Sequence, residues 1–178
     1  MKRFKILLCA CFALATAAAL VGCSSTPKLD NQVTVEGMTL SVPSKWLQQD
    51  GSFNDMGSNS LGRDGQVYWH PSDNSGYIGV DYSVKPTSRY ISSSKSAADL
   101  YNDQVSIMSS LSGFDQEQLD DQVVDSKKAE IHKTTIKSDK GTTVTYYAGI
   151  DASGTCYLVS VNNDEQLFKD VLESISIG

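Results

Sequence analysis

The sequence predicts an α+β domain, an antiparallel sheet of about six to seven strands flanked by helices in an αβα sandwich. Two patterns carry this. Apolar and polar residues alternate with a period of two along 33–42 and 77–84, strand-like runs over 66–69 and 128–161 carry further apolar residues, and the breaks between runs hold turn-forming Gly, Asn, Asp and Ser. Two other stretches, opening near Ala97 and Asp164, repeat apolar residues at helical spacing.

Val33-Thr34-Val35 and Met38 to Val42 flank Glu36-Gly37 and read as a tight hairpin, with Gly37 supplying a positive φ. Pro43 ends the second strand because it cannot donate to a ladder. Trp46 then drops towards the core. Residues 47–65, rich in Gln, Asp, Asn, Ser and Gly, read as one long loop, and Asp50, Asn54 and Asp55 do not fit a calcium-loop spacing. A strand over Gln66 to Trp69 follows, then a turn from His70 to Gly76. Tyr77 to Val84 reads as a half-buried strand, with Ile78, Val80, Tyr82 and Val84 inward and Gly79, Asp81 and Ser83 on the other face. Lys85-Pro86 closes it.

Hydroxyls from Ser93 to Ser96 are N-cap candidates for a helix whose stripe is Ala97, Leu100, Tyr101, Gln104, Val105, Met108 and Leu111. Gly113 is placed as its C′ residue, with Phe114 folding back on the last turn. The last third reads as a three-strand meander near 128–137, 142–150 and 155–161. Val144, Tyr146 and Ala148 share one face with Tyr157, Val159 and Val161, while Tyr147, Cys156 and Leu158 line the other. A final helix is capped by Asn162 or Asn163 and buries Leu167, Phe168, Val171, Leu172 and Ile175.

The N-terminus carries a different signal. Lys2, Arg3 and Lys5 precede an apolar run from Ile6 to Val21, which leads into Leu20-Val21-Gly22-Cys23 and a polar tail. This order of basic, apolar and small-residue regions is that of an export signal, and the run is shorter than the ~20 residues of a spanning helix. Gly22 leaves a scissile bond unobstructed, Leu20 offers an apolar handle, and the Cys23 thiol can take a diacylglyceryl group as a thioether. The pattern resembles that of bacterial lipoproteins. It divides the chain into a signal peptide (1–22), a lipidated tether (23–31) and a globular domain (32–178). Two acyl chains would hold Cys23 to a membrane without a basic patch. The resemblance implies the extracytoplasmic face of a cell membrane, or an outer membrane where one exists.

Trimming at Cys23 shifts the charge. The whole chain is −6; residues 1–22 hold three basic and no acidic residues, so the mature chain is −9. Such an acidic domain repels phosphate backbones and argues against nucleic acid as a partner. Cys9 and Cys11 leave with the signal and Cys23 takes lipid, so only Cys156 remains and no intramolecular disulfide is expected. Two histidines and one thiol suggest no metal site, and no cofactor motif appears.

The order of elements, together with Leu40-Ser41-Val42-Pro43-Ser44-Lys45-Trp46 and the closing Leu167-Phe168-x-x-Val171-Leu172-x-x-Ile175, resembles the PsbP-like fold. That fold is shared with a Ran-binding nuclear import factor and with LpqN-like bacterial lipoproteins. The resemblance implies a sheet sandwiched by helices and a non-enzymatic accessory or binding role, with no shared catalytic motif to carry over.

Tests for chemistry agree. Cys156 and His132 fall on strands separated by a third, too far for a nucleophile–base pair. No Gly-x-Ser-x-Gly elbow occurs, and the glycines around Gly57 and Gly62 lack the Lys-Ser/Thr ending of a phosphate loop. The candidate binding rim is aromatic: Tyr68, Trp69, His70 and Tyr77 flank one loop and could stack on a sugar or anchor a protein. The competing reading is that Tyr68 or Trp69 alternates into the core while its neighbour packs under the loop. The expected function is therefore a lipid-anchored, non-catalytic role toward a protein or envelope component. Two alternatives stay open. A small-molecule or glycolipid carrier would show a cavity lined by Tyr82, Tyr101 and Tyr146, and a carboxylate-based envelope hydrolase would show two facing buried carboxylates.

Overall fold

A computed structural model describes residues 26–50, 63–84 and 95–178. The Leu20-Val21-Gly22-Cys23 pattern, the candidates Asn54, Asp55, Gly57 and Gly62, the Lys85-Pro86 closure and the capping hydroxyls Ser93 and Ser94 lie outside the described residues.

The chain opens with the hairpin β1 (Asn31–Val35) and β2 (Met38–Val42), then β3 (Leu47–Asp50), β4 (Gly65–His70) and β5 (Ile78–Val84). Helix α1 (Ala97–Met108) follows. Next come β6 (Phe114–Gln118), β7 (Gln122–Val124), β8 (Lys127–Ser138), β9 (Gly141–Asp151) and β10 (Thr155–Asn162). Helix α2 (Glu165–Glu173) and a short β11 (Ser176–Ile177) close the chain.

The main sheet runs β3-β4-β5-β10-β9-β8-β6, with β7 also on β8, and each pairing is antiparallel. The hairpin belongs to a second, three-stranded sheet, β1-β2-β11. That sheet and α2 cover one face of the main sheet, and α1 covers the other. The expected α+β class and sandwich hold, but among the described residues the main sheet has eight strands rather than six to seven, and the hairpin lies in a separate small sheet that shares a layer with α2.

The predicted faces of the meander are observed. Tyr146, Ala148, Ile150, Tyr157, Val159 and Val161 join Met38, Leu40, Val42, Leu167, Phe168 and Val171 in the larger core. Cys156, Leu158 and Tyr147 join Ala97, Leu100 and Tyr101 in a smaller one. Trp46 is half-buried against the larger core. Glu36 (φ 45°) and Gly37 (φ 87°) both take the left-handed conformation that a two-residue hairpin turn requires.

Several expectations are corrected. The 47–65 stretch is not one featureless loop: Leu47–Asp50 is an edge strand and Gly65 begins β4. β3 is exposed on both faces, so it carries no alternation to read. Phe114 does not fold back on α1 but starts β6, opposite Ile136. The helix ends at Met108, leaving Leu111 half-exposed. Gly113 (φ 77°) serves the helix-to-strand turn, where a Cβ would meet the Lys137 carbonyl. β7 and β8 are joined by Asp125-Ser126, both at positive φ without a glycine. The Asp125 carboxylate accepts the Ile177 N–H at 2.6 Å and ties down β11. Gly79, Asp81 and Ser83 are buried rather than facing water: the Tyr68 ring lies over Gly79, and Asp81 lies beside Leu100 and Gln104 of α1.

The last helix is capped by Asp164, whose Oδ1 accepts the Leu167 N–H at 2.8 Å. Asn163 instead turns at φ 59° and accepts the Val144 N–H. Asp164→Ala should therefore lower the urea-derived stability by about 1 kcal/mol without changing the slope. An unchanged midpoint would remove Asp164 from the cap.

Candidate functional site

Two depressions flank the β4–β5 pair, one on each face. Each is framed by a tyrosine lying over a glycine of the neighbouring strand. Register places Tyr68 opposite Gly79 and Gly65 opposite Tyr82. A Cβ at Gly79 would strike the Tyr68 ring at 2.7 Å, and one at Gly65 would strike the Tyr82 ring. These glycines leave the space the rings fill.

On the α1 face, a cleft of about 290 Å³ is lined by Tyr68, His70, Asn74, Gly76, Tyr77 and Gln104. Its loop is locally braced: the Asn74 N–H donates to Pro71 O at 3.0 Å and the Ser75 N–H to Asp73 Oδ1 at 3.0 Å. Tyr68 and Tyr77 meet edge to face, with ring centres 5.5 Å apart. Gln66 donates to the Tyr68 hydroxyl. The Tyr77 hydroxyl lies among Thr145, Ser160 and Tyr147, and burial raises its pKa. Both phenols are thus held inward, and the cleft is furnished by ring surface, two carboxamides and an imidazole.

The aromatic rim read from the sequence is only partly assembled. Tyr68, His70 and Tyr77 come together, but Trp69 does not. Adjacent strand residues point to opposite faces, and Trp69 is 3% exposed in the larger core, on the hairpin side.

Below α1 and close to this cleft lies a charged pair that sequence reasoning missed. Arg63 Nη1 donates to Asp81 Oδ1 at 2.6 Å, both side chains nearly buried. Next to it, Asp64 accepts from Ser83 Oγ at 3.0 Å and from the Val84 N–H at 2.6 Å. The signal for Asp81 was present as an acid between Gly79 and Ser83 on a strand. Period two alone could not tell a solvated face from a covered one.

On the opposite face, a groove of about 440 Å³ runs between β1 and the β3–β4 edge. Val33, Val35, Val67 and Trp69 provide its apolar surface, and Glu36, Gln48, Asp50 and Tyr82 its polar groups. Burial, and then the charges of Glu36, Asp64 and Asp50, raise the Tyr82 pKa.

Cys156 is fully buried, with its thiol towards the Ser83 carbonyl at 3.6 Å. His132 is opposite Tyr147, which is opposite Ser160, so β9 separates it from the cysteine's strand. The imidazole stacks on Tyr101 at 3.9 Å, and burial lowers its pKa. No cluster of metal-ligating side chains occurs among the described residues. Tyr82, Tyr101 and Tyr146 do not share a cavity: the first lines the hairpin-side groove, the second stacks on His132, and the third stacks on Phe168 of α2.

No protein-family model matches the chain, and no curated protein does. Among solved structures, cyanobacterial PsbP (CyanoP) from Synechocystis sp. PCC 6803 aligns with a TM-score of 0.58 at 14% identity, over 90% of this chain and 99% of that one. The fold is PsbP-like. A protein from Bacteroides thetaiotaomicron VPI-5482 aligns with a TM-score of 0.51 at 8% identity, over 85% of this chain and 49% of the other. This chain thus spans about half of that second structure. At such identities the PsbP-like fold is shared and activity does not transfer with it.

Burial pushes the Asp81 carboxyl up to about 6, against the pull of Arg63. The folded protein then holds this proton more tightly than the unfolded chain does. The stability owed to Asp81 is full below its ordinary value of 3.8 and is lost as pH rises to about 6. The swing is at most about 3 kcal/mol. Subtracting the stability of Asp81→Asn from that of the parent cancels His132, whose lowered pKa acts in the opposite sense. That difference should fall between pH 4 and 6.5, and a flat difference would contradict the shift.

Proposed function

We propose that this chain is a lipoprotein, held at the extracytoplasmic face of a membrane by a diacylglyceryl thioether on Cys23. Its PsbP-like domain binds a protein or envelope component without catalysis. The observation that carries the reading is Leu20-Val21-Gly22-Cys23 at the end of a basic-then-apolar leader. From Cys23 to the first strand residue, Asn31, an extended chain reaches at most about 29 Å, so the partner is met near the membrane.

Local geometry supports the α1-side cleft as the binding site. The Ser44 N–H donates to Asp30 Oδ1 at 2.8 Å, and three residues later Leu47 pairs with His70. The cleft residue His70 therefore stands at the end of the domain where the tether joins it. A non-catalytic role is supported by the engagement of the reactive groups: Asp81 with Arg63, Cys156 inside the core, and His132 stacked on Tyr101.

The test has two arms. Cells fed an alkynyl palmitate should label the parent protein and not Cys23→Ser, and Cys23→Ser should leave the membrane fraction. Equal labelling or unchanged retention would refute the anchor. A photo-crosslinking residue at Asn74 should capture a discrete envelope species that the same residue at Asp139 does not. Identical capture at both positions, or none at Asn74, would refute the cleft.

A further inference from the structure

The hairpin-side groove lies between two open strand edges. Among the described residues, β1 pairs only with β2, and β3 pairs only with β4. Val33 to Val35 of β1, the adjoining turn residue Glu36, and Gln48 with Asp50 of β3 line the same groove. A strand edge carries a row of N–H and C=O groups that another extended chain can complete. Exposed edges in folded proteins are commonly blunted by lysine, proline or a covering element. β1 and β3 contain no lysine and no proline.

The side chains also favour one kind of chain. The groove presents Glu36 and Asp50, with the Tyr82 ring and the largely buried Trp69 behind them. Among the described residues lining it there is no Lys or Arg. Gln48 donates to Asp50 at 2.9 Å, which holds that carboxylate as an acceptor. A lysine or arginine entering here would meet two carboxylates and an aromatic face together, a setting in which ion pairing and cation–π attraction reinforce each other. Apolar side chains alternating with those cations would rest on Val33 and Val67, which are half-buried and already in place.

We infer that this groove is a docking site for an extended, Lys- or Arg-bearing peptide segment of a partner protein, added as a strand to the β1 or β3 edge. This is β-strand addition, with main-chain hydrogen bonds giving affinity and the acidic pair giving selectivity. The inference deepens the binding reading above and names a partner class for a second surface, separate from the Asn74 cleft.

The experiment uses the full chain in detergent and a fluorescent peptide alternating Lys and Val, followed by anisotropy and amide NMR. The peptide should bind, weaken as salt is raised, and shift amide signals of Val33 to Val35 or of Gln48 to Asp50. The Glu36→Lys/Asp50→Lys double variant should lose about tenfold or more in affinity. Asp120→Lys/Asp139→Lys should retain it, and both variants should melt as the parent does. An N-methylated peptide, unable to complete a ladder, should bind weakly. Equal loss in both double variants would mean unspecific charge attraction and overturn the proposal. Equal binding of the N-methylated peptide, or full competition by spermidine, would make the site a cation pocket and overturn it too. No binding would also overturn it, while crosslinking at Asn74 in the same protein would leave the broader binding reading standing.

Discussion

Strand β10 is buried on both faces, and each layer of the domain is pinned to it. Its alternation sends Tyr157, Val159 and Val161 towards the hairpin and α2, and Cys156, Leu158 and Ser160 towards α1. Because β5 and β9 flank it in register, the same alternation fixes which side chains of β4 and β8 face which layer. A slip of one residue would exchange the two faces throughout. The placement of Trp69, of the Asp81–Arg63 pair and of both depressions follows from that register.

The two faces differ in chemistry. The hairpin and α2 side is apolar and closely filled. The α1 side carries the buried polar groups Gln66, Asp81, Ser83, Thr134, Thr145 and Ser160, with only a small apolar cluster beneath the helix. Buried polar groups must find partners, and these do so through Arg63, Asp64, Tyr68 and Asn162 among others. The larger core thus supplies most of the hydrophobic stabilisation. The α1 side offers polar groups and a cleft.

Much of this was legible in the sequence. The hairpin, β4, β5, the meander, both helices and the two faces of β9 and β10 follow from periodicity and from Gly37. The edge strands β3 and β6 do not, because residues exposed on both sides leave no alternation. The turn at Asp125-Ser126 lacks the glycine that usually marks a tight hairpin turn. Of the four aromatic-rim residues, three meet in one cleft. Alternation along the strand already allowed one of Tyr68 and Trp69 to turn into the core, and Trp69 is the one that does. Asp81 was assigned to its correct face, but a single sequence does not say that a helix covers it. Gln104 was counted in the helix stripe and instead reaches the cleft.

The central claim is that β10 anchors a large apolar core on one side and a weaker, polar-backed helix on the other. Native-state hydrogen exchange across a low-urea series tests it most directly. Amides of β9 and β10 should open only with global unfolding. Amides of α1 should open at a lower free energy with a smaller urea dependence, as a separate cooperative unit. Equal opening free energies and equal urea slopes for α1 and β10 would contradict the account.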